Sequence, residues 1–192
     1  MNSAEMNPKE SLELINQVIR DAKNRFEDNG FAFILWGSLI ALCSFTQYYL
    51  ITIGRSTQSW YPYLLLPIVS ILTIIYYAKK EKGKKNHLSQ ISSRLWIFTG
   101  FNIMITAFAF SPYLESHLIF VILLLMGIAT AVSASFIRSR VLLFSGLVLN
   151  VAAYLNFFIP WKEQILLMGG ISILAVLLPG VFLYLKKRKQ SV

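Results

Sequence analysis

Three groups of residues in this chain have the types and spacing for chemistry. Ser111, Glu115 and His117 bring a hydroxyl, a carboxylate and an imidazole within seven residues, the ingredients of nucleophilic catalysis. A triad needs its members to converge from fixed elements onto donors for an oxyanion. Here they share one tight loop with no glycine elbow, so they read as interfacial loop residues and no catalytic residue is assigned. Thr99, Asn102 and Thr106 recur at three- and four-residue steps and share one helix face, while Asn150 and Asn156 lie in a later apolar run. Such groups either line a polar path or small-molecule cavity, or act as hydrogen-bond glue between helices at about 0.6 kcal/mol or more per contact; glue is the favoured role. The third group is Lys79-Lys80-Glu81-Lys82-Gly83-Lys84-Lys85, the densest cluster of charge in the chain. It offers a docking loop for a protein partner or for lipid headgroups. The two histidines, His87 and His117, fall on opposite sides of the predicted membrane, and Cys43 is the single cysteine. No metal site, disulfide or cofactor is expected from them.

The elements that must position these residues follow from composition. Hydrophobic residues make up 56% of the 192 and charged residues 14%, with a mean hydropathy of +0.59. Soluble domains carry about 25% charged residues. Between Phe31 and Leu185 almost every charge falls in short interruptions between apolar runs of 17–23 residues. Roughly 20 such residues cross a hydrocarbon core of roughly 30 Å as a helix. Barrel strands would be about ten residues long with alternating polarity, which these runs lack. The predicted fold is an all-α integral membrane bundle of six transmembrane helices over 31–53, 60–78, 95–111, 117–137, 141–159 and 165–185. A cytoplasmic segment, 1–29, precedes it and a basic cytoplasmic tail, 186–192, follows. The first apolar run starts only at Phe31, after a polar segment, so no secretory signal peptide is expected.

Charge sets the expected orientation. Lys and Arg beside spans stay on the cytoplasmic side during insertion. With the amino terminus inside, 16 of the 18 Lys and Arg fall in cytoplasmic segments, leaving Arg55 and Lys162 outside. Both termini are therefore expected in the cytoplasm of a cell with the protein in its cytoplasmic (inner) membrane. Trp60, Tyr61, Tyr63, Tyr113 and Trp161 sit at predicted external interfaces, where rings with a polar edge are enriched. The net charge of +9 is explained by these flanking clusters, and no basic stripe interleaves with exposed aromatics, so nucleic acid is not an expected partner.

Residues 1–29 have their own pattern. Asn7-Pro8-Lys9-Glu10 reads as a helix start, with a capping Asn and a proline in the first turn. Leu12, Ile15, Ile19, Ala22 and Phe26 then form one apolar stripe, and Asn29-Gly30 closes the helix. Between Pro8 and Asp28 there are four cations and five anions, whereas helices that bind anionic lipid are rich in Lys and Arg. This amphipathic helix is expected either to dock on the bundle with its acidic groups near Lys79–Lys85 or to lie on the lipid interface.

Inside the spans, Gly127, Ala131 and Ser135 stand at four-residue steps. Small residues at that spacing let helix backbones approach, which marks a packing face within the bundle or a homo-oligomer seam. Gly37 and Ala41 repeat the pattern. Pro67 and Pro179-Gly180 are expected to bend or locally unwind their spans. No Asp, Glu, Lys, Arg or His lies mid-span, and coupled transporters usually need such groups at membrane depth.

The segment Ala22-Lys23-Asn24-Arg25-Phe26-Glu27-Asp28-Asn29-Gly30-Phe31, followed by Leu35-Trp36-Gly37, resembles the opening of a family of uncharacterised bacterial multi-span inner-membrane proteins. Members share a polar amphipathic helix before several spans. The likeness covers roughly the first forty residues and implies a bacterial cytoplasmic-membrane location; it brings no catalytic or ligand residues. The expected function is non-enzymatic: a scaffold, sensor or regulatory subunit in the lipid bilayer, presenting its cytoplasmic helix and basic loop to a cytoplasmic protein. The alternative is a small-solute channel or transporter subunit using the Thr99/Asn102/Thr106 face.

Overall fold

The computed structural model describes residues 12–13, 30–80, 87–137 and 139–190. Among the described residues all regular structure is helical. That is what long apolar runs require, because a helix satisfies its own backbone hydrogen bonds without water. Helix α1 is Gly30–Thr52, and Gly54, with φ of 81°, makes the turn that ends it. Short helical turns at Ser56–Gln58 and Tyr61–Leu64 lead into α2, Leu65–Lys80. Then come α3, His87–Phe108, two turns at Ser111–Leu114 and Glu115–His117, and α4, Leu118–Ile137. Helix α5 is Arg140–Asn156. Helix α6, Trp161–Ser172, runs through a π-helical segment, Ile173–Leu177, into α7, Leu178–Gln190.

Five segments are long and apolar enough to cross a membrane: Gly30–Thr52, Ser56–Tyr76, Gln90–Phe108, Ser111–Phe136 and Trp161–Lys186. The remaining apolar run, expected over 141–159, forms a shorter helix of 17 residues, Arg140–Asn156, about 25 Å long at 1.5 Å per residue. It starts at Ser139, whose hydroxyl accepts from Leu142 N, and stops before Pro160. The amphipathic helix expected over 1–29 lies outside the described residues, apart from Leu12 and Glu13, which are helical and exposed.

The two prolines expected to distort their spans differ in outcome. Pro67 does not bend a span, because it falls in the first turn of α2, where a missing N–H leaves no bond unmade. The last helix is locally unwound near Pro179-Gly180, though not broken. The distortion is displaced upstream into the π-helical turns of Ile173–Leu177, which include the carbonyl of residue 175 that Pro179 cannot bond.

Packing divides the molecule. Helices α4 and α5 pack antiparallel along most of their length, and α1 runs antiparallel to the continuous α6–α7 helix. Their shared centre holds Leu142, Leu149, Ala153 and Ile165, all at most 1% exposed. Close backbone approach builds this centre. A Cβ on Gly37 would lie 2.6 Å from Leu177 N, and one on Gly146 would lie 2.7 Å from Ala131 N. Helices α2 and α3 stand at the periphery. Helix α3 leans on α4 and places Trp96 edge-on to Phe33 at 5.9 Å. Helix α2 meets α1 at Phe31 and Tyr76, ring centroids 6.2 Å apart. Ile68, Ile71, Leu72 and Ile74 on α2, and Ile97, Phe98 and Phe101 on α3, are more than half exposed. An apolar exterior around a polar-flanked bundle is the inverse of a water-soluble surface.

Candidate functional site

The five polar residues singled out within the spans do not meet in one place. Asn102 is exposed on α3, and its Nδ2 donates to the carbonyl of Phe98 on the same helix at 2.7 Å. Thr99 and Thr106 are half-buried on that helix. Asn150 is half-buried on α5, its Nδ2 donating to Gly146 O at 2.9 Å. Its side chain stands against Gly127, where a Cβ would come within 2.6 Å of Nδ2. Asn156 is buried at the end of α5 and donates to Ala152 O at 3.3 Å. Thus Asn102, Asn150 and Asn156 each bond a carbonyl one turn back on their own helix, the local bond a short polar chain makes when no water is present.

The small-residue face is engaged at two of its three positions. Gly127 lies against Asn150 and Ala131 against Gly146, while Ser135 is exposed and donates to Ala131 O at 3.1 Å. Of the basic cluster, Lys79 and Lys80 end α2; Lys82, Lys84 and Lys85 lie outside the described residues.

At the other end of α3, Ser111 opens one helical turn and Glu115, with φ of 44°, opens the next. The His117 ring packs on Phe157, centroids 4.9 Å apart, and its Nδ1 lies 3.4 Å from Ser116 Oγ. Among the described residues no hydrogen bond joins Ser111, Glu115 and His117, so the general base and nucleophile of a hydrolytic site are not assembled there. Clefts among the described residues include two on the bundle. One of about 180 Å³ at the α4–α5 turn is lined by Ala134, Ser135, Ser139, Arg140 and Leu143. One of about 350 Å³ between α1 and α2 is lined mainly by Phe31, Leu35, Val69, Leu72 and Tyr76. Neither contains any of Thr99, Asn102, Thr106, Asn150 or Asn156.

Three polar contacts were not anticipated from the sequence. Ser44, fully buried, shares a 3.2 Å hydrogen bond with the Tyr63 hydroxyl, and next to it Cys43 Sγ donates to Pro62 O at 3.3 Å. Together they tie the turn before α2 to the middle of α1. Gln164, 4% exposed, donates from Nε2 to Asn156 O at 3.1 Å and Ile159 O at 2.8 Å, clamping the α5–α6 connection. The only signal for this clamp in the sequence is an amide in the first turn after a helix-starting Pro160. Asn156 Oδ1 and Gln164 Oε1 are buried with no hydrogen-bond partner. Substituting Gln164→Leu should remove the donor to Ile159 O and destabilise the chain by about 1–3 kcal/mol. Thermal unfolding in detergent micelles would measure it, and an unchanged midpoint would mean the clamp holds nothing together.

Among the described residues no group of three or more His, Cys, Asp and Glu side chains converges to hold a metal ion. The arrangement is one of helix-to-helix seams closed by small residues, with most polar side chains bonded to nearby carbonyls. No family model matches this chain, and no curated protein and no solved structure matches it either.

Proposed function

We propose that this chain is a six-span integral protein of a bacterial inner membrane, with both termini cytoplasmic, that works non-enzymatically as a scaffold, sensor or regulatory subunit. The observation that carries this reading is the split between a closed core and an open periphery. Helices α1 and α4–α7 are locked by backbone-to-backbone contacts at Gly37 and Gly146. Helix α2 is held by few contacts whereas α3 packs on α4, and the segment joining them bears the Lys79–Lys85 run. A rigid membrane platform with one loosely attached helix that leads into a charged segment suits presentation of a docking loop. The amphipathic segment 1–29, with its five anions between Pro8 and Asp28, is the natural counterpart of that loop on the cytoplasmic side. Arg94, Arg140 and Lys186 would ring the same membrane face.

The test is a crosslinking pull-down from native membranes with the full chain, a chain lacking residues before Asn29, and one carrying Lys82→Glu, Lys84→Glu and Lys85→Glu. A partner captured by the full chain and lost with either change supports the regulatory role. Capture that ignores both changes removes it and turns the effort to solute flux in liposomes.

A further inference from the structure

Asn102, outside the core, is a polar side chain in a position that hydrocarbon cannot satisfy. Asn102 lies twelve residues after Gln90 and six before Phe108, the ends of its span, so on a helix it sits about 18 Å from one end and about 9 Å from the other. It is exposed, as are its neighbours Phe98 (66%), Phe101 (62%) and Ile105 (37%). These positions step by three and four residues and form one outward seam. Helix α2 approaches the bundle on the α1 side, so it leaves this seam open.

One N–H of the Asn102 carboxamide is used on Phe98 O. The second N–H and the Oδ1 remain. Lipid tails offer neither a donor nor an acceptor, and a side chain this short cannot reach across the roughly 9 Å to the nearer end of the span. One donor and one acceptor on the same group is a self-complementary set. Two copies related by a two-fold axis place each Oδ1 opposite the other's free N–H, satisfying both at once. A single polar residue in an otherwise apolar seam also fixes its register.

We propose that the outward face of α3, built from Phe98, Phe101, Asn102 and Ile105, is a self-association seam on which two copies of this chain pair through reciprocal Asn102 hydrogen bonds. The occupant is a second copy because the group left unpaired is its own complement. The inference rests on the membrane-spanning reading above, and carbonate extraction tests that reading separately: a chain that leaves the membrane at alkaline pH fails there first.

The experiment uses the purified full chain in liposomes with Cys43→Ser, which removes the only native thiol. Single cysteines are placed at Phe98, at Ile105 and, on the exposed face of α5, at Phe144. Oxidative crosslinking at 98 and 105 but not at 144, diluting away as lipid is added, is the expected result. In energy-transfer dilution, Asn102→Leu should raise the dimer dissociation constant about tenfold, the effect of two intrabilayer hydrogen bonds. Asn102→Gln, which keeps donor and acceptor, should stay near the parent. A monomer at every lipid ratio, crosslinks only at 144, or the same dissociation constant for Asn102→Leu would overturn the proposal. The crosslinks at 98 and 105 are read with Asn102 intact, so they decide the matter even if Asn102→Leu does not fold.

Discussion

Gly37→Val should separate the first helix from the last and cost the bundle more than any surface change. A Cβ at Gly37 would lie 2.6 Å from Leu177 N, 2.9 Å from Leu177 Cα and 2.9 Å from Leu177 Cβ. The two nearest obstacles are backbone atoms in the π-helical turn, so no rotamer change can clear the space. Helices in a bilayer are not pressed together by the hydrophobic effect, since lipid is as apolar as the helices themselves; van der Waals fit holds them. Losing that fit therefore opens the middle of the seam between α1 and α6–α7, which is otherwise closed at Gly30, Gly169 and Gly180. Gly37→Ala should destabilise by about 1–3 kcal/mol, the usual cost of overpacking, and Gly37→Val by more, because its branches add a second layer of clash. Gly100→Ala is the internal control, as nothing lies within 4 Å of its Cβ position. There the better helix propensity of alanine should be neutral or stabilising by up to about 1 kcal/mol. Thermal unfolding in micelles reads all three, and equal midpoints for the Gly37 and Gly100 variants would refute the account of this seam.

Gly146→Ala should have the second-largest effect, and its rescue pattern is specific. The added methyl would meet Ala131 N at 2.7 Å, Ala131 Cα at 2.9 Å and Ala131 Cβ at 2.9 Å. Restoring space with Ala131→Gly removes only the last of these. The double variant should recover part of the loss of about 1–3 kcal/mol expected for the single one, and a double-mutant cycle should report coupling without full compensation. Gly127→Ala is the contrasting case. Its methyl would meet Asn150 Nδ2 and Cγ at 2.6 and 2.8 Å before the backbone N at 3.0 Å, so Asn150→Ala should rescue it more completely. Full rescue of Gly146→Ala by Ala131→Gly would mean that the α4 and α5 backbones are not in contact.

The helices were legible in the chain because each depends on local composition. Whether a run of about 20 residues suits a hydrocarbon core is decided residue by residue, so α1 and α4 fall within a residue of the runs beginning at Phe31 and His117. Boundaries slipped where polar residues continue a helix past the apolar run. Helix α3 begins at His87, ahead of Leu95, and the last helix begins at Trp161, ahead of Ile165. Amphiphilic positions such as Arg94 can sit on the exposed side of a helix at the interface, and hydropathy does not register them as helical. The polar candidates were visible as residue types, but their direction was not. Nothing in the spacing of Thr99, Asn102 and Thr106 distinguishes a face turned inward from one turned out, since every neighbouring surface is apolar.

Composition and pattern were thus enough to specify an all-helical chain of long apolar segments separated by charged interruptions, and to mark Gly127 and Ala131 as places where backbones could approach. Which helices pair was settled only in three dimensions. Gly37 meets Leu177 across 140 residues of chain, and Gln164 reaches back to Ile159 to close a connection that hydropathy treats as a gap. The reason is physical: transfer into an apolar phase is a sum over single residues, whereas helix pairing depends on the match of two surfaces of equal polarity. That match is a property of shape, carried by a few glycines and by a proline whose strain is taken up one turn away.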